Sequence, residues 1–196
     1  MTEDPSDYSK WLTNWKANYS SQSKCRCVTD VYEIILKNEF CDTDFWYFGG
    51  DLVINSKLLS YTKEDWQKLT EDLVHWKSNQ IEILGLILST VKNSSELNDT
   101  NPLESMKSEC YSHILTICDD DLFSDLIDNI NFLKLNSNKD VHVLNRIKHR
   151  LLQLKSSPLV QHNGSSEFLY SQKRYEDFIL LIDTEIEKAD NNTLIN

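Results

Sequence analysis

The sequence predicts an all-α fold of about eight helices in stacked antiparallel pairs, HEAT-like or bundle-like. Three observations predict it. Apolar residues recur at i, i+3, i+4 and i+7 along most of the 196 residues. Only four glycines and three prolines interrupt them, too few for the tight turns of an all-β chain. Several helix starts are marked by Asp, Thr or Pro just ahead of the apolar stripe. With 40% hydrophobic and 10% aromatic residues, the chain can bury a core and is not a disordered polyelectrolyte. A single domain spanning residues 1–196 is expected.

The elements follow in order. Asp4 caps and Pro5 opens a helix to Tyr19, with Tyr8, Trp11, Leu12 and Trp15 on one face. Val28, Val31, Tyr32, Ile35 and Leu36 repeat that stripe in a second helix ending near Asn38. Residues 39–61 are less regular: Phe40, Phe45, Trp46, Tyr47 and Phe48 run into Gly49-Gly50. Adjacent glycines permit positive φ, so a turn is expected, with room for a hairpin near residues 48–60. Thr62, followed by Glu64 and Asp65, caps a helix carrying Trp66, Leu69, Leu73 and Trp76. After a break at residues 77–79, a strongly apolar helix runs from Gln80 to about Val91, with Gly85 inside it.

Residues 93–101 form a polar linker, and Pro102 starts a helix with Met106, Cys110, Ile114 and Ile117 on one side. Asp119-Asp120-Asp121 caps the next, which carries Leu122, Leu126, Ile130 and Leu133. A helix over residues 140–155 holds Val143, Leu144, Ile147, Leu151 and Leu154. Beyond a loop with Pro158 and Gly164, a last helix over residues 171–188 carries Tyr175, Phe178, Ile179, Ile182 and Ile186. A frayed tail is expected from residue 189.

Catalytic motifs are missing. The sequence has no G-x-S-x-G, H-E-x-x-H, Walker loop or G-x-G-x-x-G. Asp119-Asp120-Asp121 with Asp125 is not a calcium loop, because Phe123, Ser124 and Ile130 occupy ligand, glycine and glutamate positions. Cys25-x-Cys27 with Cys41 lacks a second pair at zinc spacing, and His75 or His113 would have to complete the set from afar. The cysteines are therefore read as reduced thiols, Cys27, Cys41, Cys110 and Cys118 as small core residues, with no metal and no cofactor. His113 with Glu109 and Cys110, and His75 with Glu71 and Asp72, have helical contact spacing. In a chain this acidic such pairs arise by chance, and no enzyme is expected.

Charge is the more informative signal. The net charge is −11, and residues 93–134 contribute −7 of it, nine acids against Lys107 and Lys134. Asp121, Asp125 and Asp128 share one helix face at i, i+4 and i+7. Like charges at that spacing repel by a few tenths of a kcal/mol per pair, so the stripe has no stabilising purpose of its own. It is either a solvated face or a docking surface for a basic protein. Direct nucleic-acid binding is disfavoured, since phosphates require clustered Lys and Arg. The partner-binding candidates are Asp119, Asp120, Asp121, Asp125 and Asp128, with Trp76 at a helix end.

One stretch carries a resemblance. Phe45-Trp46-Tyr47-Phe48-Gly49-Gly50-Asp51-Leu52-Val53-Ile54-Asn55-Ser56, then Glu64-Asp65-Trp66-x-x-Leu69 and Trp76-x-x-x-Gln80-x-Glu82-Ile83-Leu84, resembles the immunity proteins encoded beside bacterial polymorphic toxins. The likeness covers roughly residues 28–92; beyond them only the general helical pattern is shared. It implies a protein that binds one cognate toxin domain and blocks it. The acidic N-terminus has no apolar run and no bilayer-length apolar segment follows, so a cytoplasmic protein is expected. A helical adaptor without a toxin partner is the alternative.

Overall fold

The computed structural model describes residues 17–41, 45–89, 102–127, 140–155 and 172–193. The expected first helix, except its end at residues 17–18, lies outside them, as do the 93–101 linker and the 156–166 loop. Among the described residues every regular element is helical and there is no strand. The chain divides into two compact units, Met1–Ile87 and Leu88–Asn196.

The first unit is built on α1 (Arg26–Lys37), whose buried residues Val28, Val31, Tyr32, Ile35 and Leu36 are those of the sequence stripe. After it come a wide π-type turn, Trp46–Gly50, and α2 (Asp51–Leu58). Next are α3 (Lys63–Asp72), a 3₁₀ turn Leu73–His75, and α4 (Ser78–Ser89). Helices α2 and α3 both pack on α1. Residues 46–58, where the sequence left room for a hairpin, are helical. Ile54 and Leu58 are fully buried at i, i+4, while Leu52 and Val53 point outward; a strand would have alternated them. Gly49 sits at φ 140°, which side-chain-bearing residues rarely adopt. Thr62 closes a reciprocal capping box: its Oγ1 accepts from the Asp65 N–H, and Asp65 accepts from the Thr62 N–H.

A buried polar network fastens the segment ahead of α1. Asp72 is only 4% exposed, and its carboxylate accepts hydrogen bonds from Ser21 Oγ, the Gln22 N–H and Trp76 Nε1. Beside it, Tyr32 is fully buried and donates its hydroxyl toward Gln80 Oε1 or the Asn18 carbonyl, while accepting from the Ser20 N–H. The Tyr32 ring meets Tyr19 and Trp76 edge-on at 5.0 and 4.9 Å. Every donor aimed at Asp72 would lose its acceptor without the carboxylate.

In the second unit, α5 (Pro102–Ile117) is followed by α6 (Asp120–Leu126), α7 (Val141–Lys155) and α8 (Gln172–Thr193). Helix α7 packs against both α5 and α8, burying Leu144, Ile147 and Leu151. Lys148–Asp183 and Lys155–Glu176 ion pairs, 2.6 and 2.8 Å, lace α7 to α8; being half-exposed surface pairs, each contributes about 1 kcal/mol or less. The expected fraying from residue 189 is corrected: α8 continues to Thr193. Ala189 is buried in register with Tyr175, Phe178, Ile182 and Glu185, so the inward stripe gains another turn. Ile130 and Leu133 lie outside the described residues.

Two substitutions test these points by urea denaturation. Asp72→Ala should lower stability by about 3 kcal/mol, since three donors lose a buried acceptor. Gly49→Ala should cost about 1 kcal/mol through backbone strain alone, as nothing lies within 4 Å of the added methyl. An Asp72→Ala protein as stable as the parent would show that the network contributes no anchoring.

Candidate functional site

The acidic candidate is a short capped helix. Asp119 is the N-cap of α6 and its carboxylate accepts from the Leu122 N–H at 2.9 Å, as the sequence implies. Leu122, Phe123 and Leu126 are buried, and the opposite side presents Asp121 and Asp125 to solvent. Neither aspartate has an ion-pair partner among the described residues. Asp120 is also exposed but is held by Arg150 Nη2 at 2.7 Å. Asp128 lies outside the described residues.

Arg150, on α7, positions this helix. Its Nη1 donates to the Leu115 carbonyl at 2.9 Å, near the C-terminal end of α5, and its guanidinium stacks 4.4 Å above the Phe123 ring. One side chain thus satisfies a helix-end carbonyl, pairs with Asp120 and covers the aromatic face of α6. Beyond Arg150, an open groove of about 640 Å³ is lined by Thr116, His142, Asn145, Arg146 and His149.

Trp76, offered as a partner contact with the core as the favoured reading, lies in the core. It is 6% exposed and its indole N–H is engaged by Asp72, so it belongs to the core with Trp46 and Trp66. Trp11 and Trp15 lie outside the described residues. The expectation for the cysteines holds in half. Cys110 and Cys118 are buried, whereas Cys27 and Cys41 are exposed, one in the first turn of α1 and the other beyond its C-terminus. All five are free thiols.

Sequence reasoning missed two carboxylates. Asp72, passed over as a chance neighbour of His75, is the buried anchor described above. Asp65, expected only as a first-turn acid, also stands beside the Cys25-x-Cys27 pair. Cys25 Sγ donates to Asp65 Oδ1 at 3.4 Å, and the ligand atoms of Cys25, Cys27 and Asp65 lie within 4.8 Å of one another. Desolvation, then the Asp65 charge and Cys25, push the Cys27 thiol up from its ordinary value. Hydrogen bonds from the Thr62 side chain and backbone hold Asp65 below its ordinary value. The capping-box signature was readable; the thiols' approach to it, forty residues away in sequence, was not.

Among the described residues, His113 Nε2 makes no hydrogen bond to Glu109 or Cys110. Cys110 is fully buried, Glu109 is exposed and accepts from Ser105 Oγ at 3.4 Å, and His113 Nε2 is enclosed without a hydrogen-bond partner among the described residues. Burial, then the Arg146 charge, hold the His113 imidazole below its ordinary pKa of 6.5. The unfolded chain takes up this proton near pH 6.5, and the folded chain resists it. Stability from His113 is therefore complete above about pH 6.5 and is lost as pH falls toward the lowered folded value. His113→Gln should flatten that part of the stability–pH curve, measured by urea denaturation between about pH 7 and pH 5. An unchanged slope would assign the loss to other groups.

Among the described residues no helix is long and apolar enough to cross a membrane. No protein-family model matches the chain, and neither the curated proteins nor the solved structures compared with it yield a match.

Proposed function

We propose that this chain is an immunity protein: it binds a cognate bacterial toxin domain stoichiometrically in the cytoplasm and blocks it, with no chemistry of its own. The observation that carries the reading is the exposed face of α6, where Asp121 and Asp125 stand one turn apart with Asp119 and Asp120 at its head. Asp121 and Asp125 repel each other by a few tenths of a kcal/mol at this spacing and have no ion-pair partner among the described residues, which suits a surface kept for a partner. The resemblance over residues 28–92 and the net charge of −11 support the same reading. A nuclease toxin must hold phosphates, so its cleft is basic. An acidic helix face occupies such a cleft, or covers a basic patch beside it, without supplying catalysis. The HEAT-like or bundle-like stacking of helix pairs belongs to this proposal as the rigid support for the face.

A second reading, a helical adaptor without a toxin, is favoured by one observation. Leu52 in α2 and Leu59 just past its end, seven residues apart, are 48% and 65% exposed, with Val53 next to Leu52 at 51%. Exposed apolar residues grouped in this way mark protein contacts. The neighbouring gene separates the readings: an adjacent toxin gene supports the first, and its absence the second.

The test uses the product of that gene. Co-expression should restore growth, and the purified pair should associate at a rate that falls steeply with salt. Asp121→Lys with Asp125→Lys should slow association on the order of tenfold at low salt, with helix content unchanged. Asp177→Lys with Glu187→Lys, both exposed on α8, should matter less; Glu176 is unsuitable as a control because it pairs with Lys155. If the Asp121/Asp125 variant binds like the parent, the acidic face is merely solvated and the contact lies elsewhere, with the Phe45–Asp51 segment and α2 next in line.

A further inference from the structure

The geometry points to a metal site: we propose that Cys25, Cys27 and Asp65 form a three-ligand site for a thiophilic divalent cation, zinc before others, with water completing the tetrahedron. This site lies in the first unit and is independent of the acidic face of α6.

The distances are those of a site needing little closure. Tetrahedral zinc, with Zn–S about 2.3 Å and Zn–O about 2.0 Å, separates sulfur from oxygen by about 3.5 Å and two sulfurs by about 3.8 Å. Cys25 Sγ and Asp65 Oδ1 are already 3.4 Å apart. Since all three ligand atoms lie within 4.8 Å of one another, the sulfur–sulfur edge closes by at most about 1.0 Å and the edge from Cys27 to Asp65 by at most about 1.3 Å. Cys27 is exposed, so its side chain is free to make that adjustment.

Each ligand is oriented by a separate interaction, as metal ligands generally are. The Cys25 N–H donates to Ser23 Oγ at 3.1 Å, and Ser23 belongs to the segment held by Asp72. The Cys27 carbonyl accepts from the Tyr61 hydroxyl at 2.7 Å. Asp65 Oδ2 is occupied by the Thr62 N–H and hydroxyl at 2.9 and 2.7 Å, leaving Oδ1 turned to the thiols. The capping box that starts α3 thereby also aims a carboxylate at the start of α1.

Ligand chemistry selects the ion. Two sulfurs discriminate against magnesium and calcium, which require oxygen, and favour zinc. Three protein ligands leave one coordination position for water, the arrangement of an open rather than a closed zinc site. Solvent reaches it, because Cys25 lines an open groove of about 490 Å³ together with Ser23, Lys68, Glu71 and His75. A bound ion would cross-link the N-terminal ends of α1 and α3.

The experiment titrates the reduced, chelator-treated full chain with Co²⁺ as a spectroscopic probe, then with Zn²⁺. One equivalent of Co²⁺ should give thiolate-to-cobalt charge-transfer absorption and the intense ligand-field bands of a four-coordinate site, and one equivalent of Zn²⁺ should abolish both. Zn²⁺ should also raise the thermal midpoint. Cys25→Ser and Cys27→Ser should each weaken Zn²⁺ binding at least about tenfold and diminish the charge-transfer band. Asp65→Asn should weaken binding while keeping that band. Cys41→Ser should bind like the parent, because Cys41 is outside the cluster. Since Cys27 is exposed, Cys27→Ser should keep the parent's circular dichroism, so a lost band reports a lost ligand. No charge-transfer band at stoichiometric Co²⁺, or a band at parental intensity in a folded Cys27→Ser protein, overturns the site.

Discussion

The first unit depends on burying one carboxylate. Asp72 ends α3 inside the core, and a buried charge is tolerated only when hydrogen bonds replace its water. Ser21, Gln22 and Trp76 supply them, and two of those donors belong to the irregular segment before α1. Solvating the charge therefore dictates where that segment runs. Tyr32 and Gln80 extend the same logic, because a buried phenol and a buried amide must also be satisfied. Ser20 and the Asn18 carbonyl satisfy the phenol in part. Such a network is costly if one member fails and specific when all are present. The placement of Cys25 beside Asp65 is a consequence, since Ser23 and Cys25 immediately follow the anchored residues.

In the second unit a single guanidinium has a comparable role. Helix α6 has only seven residues, too few to be stable by backbone hydrogen bonding alone. It is held by its apolar side, by the Asp119 cap, and by Arg150 reaching over from α7 to bind Asp120 and stack on Phe123. Arginine suits this position because its planar fork serves a carbonyl and a carboxylate at once while its face covers a ring. The acids at the head of the helix are thus held in the fold, Asp119 as the cap and Asp120 by Arg150, whereas Asp121 and Asp125 are exposed and have no ion-pair partner among the described residues.

Helix positions and their inward faces were legible in the sequence from local rules. The α1 stripe, the Thr62 and Asp119 caps, the break before α4 and the Pro102 start all depend on residues within one or two turns of each other. The turn at Gly49 was legible for the same reason, because only glycine adopts that φ freely. The helix of residues 51–58 was not, since Leu52-Val53-Ile54 suits a strand as well as a helix. Packing of Ile54 and Leu58 against α1 decides between them. Likewise α8 continues past residue 189 because Ala189 finds a buried place, which no local propensity announces.

The sequence by itself therefore determined the helical class, most helix starts and the concentration of acid in residues 93–134. The tertiary structure alone decided which acids are buried, capping, paired or exposed: Asp72, Asp119, Asp120 and Asp121 have nearly the same chemistry and four different situations. It also decided that, among the described residues, Asp65 completes a cluster with the Cys25-x-Cys27 pair, and neither Cys41 nor a histidine does. The physical reason is range. Helix propensity and capping act over about four residues along the chain, whereas burial and side-chain proximity are properties of packing, and packing joins residues that sequence order keeps apart.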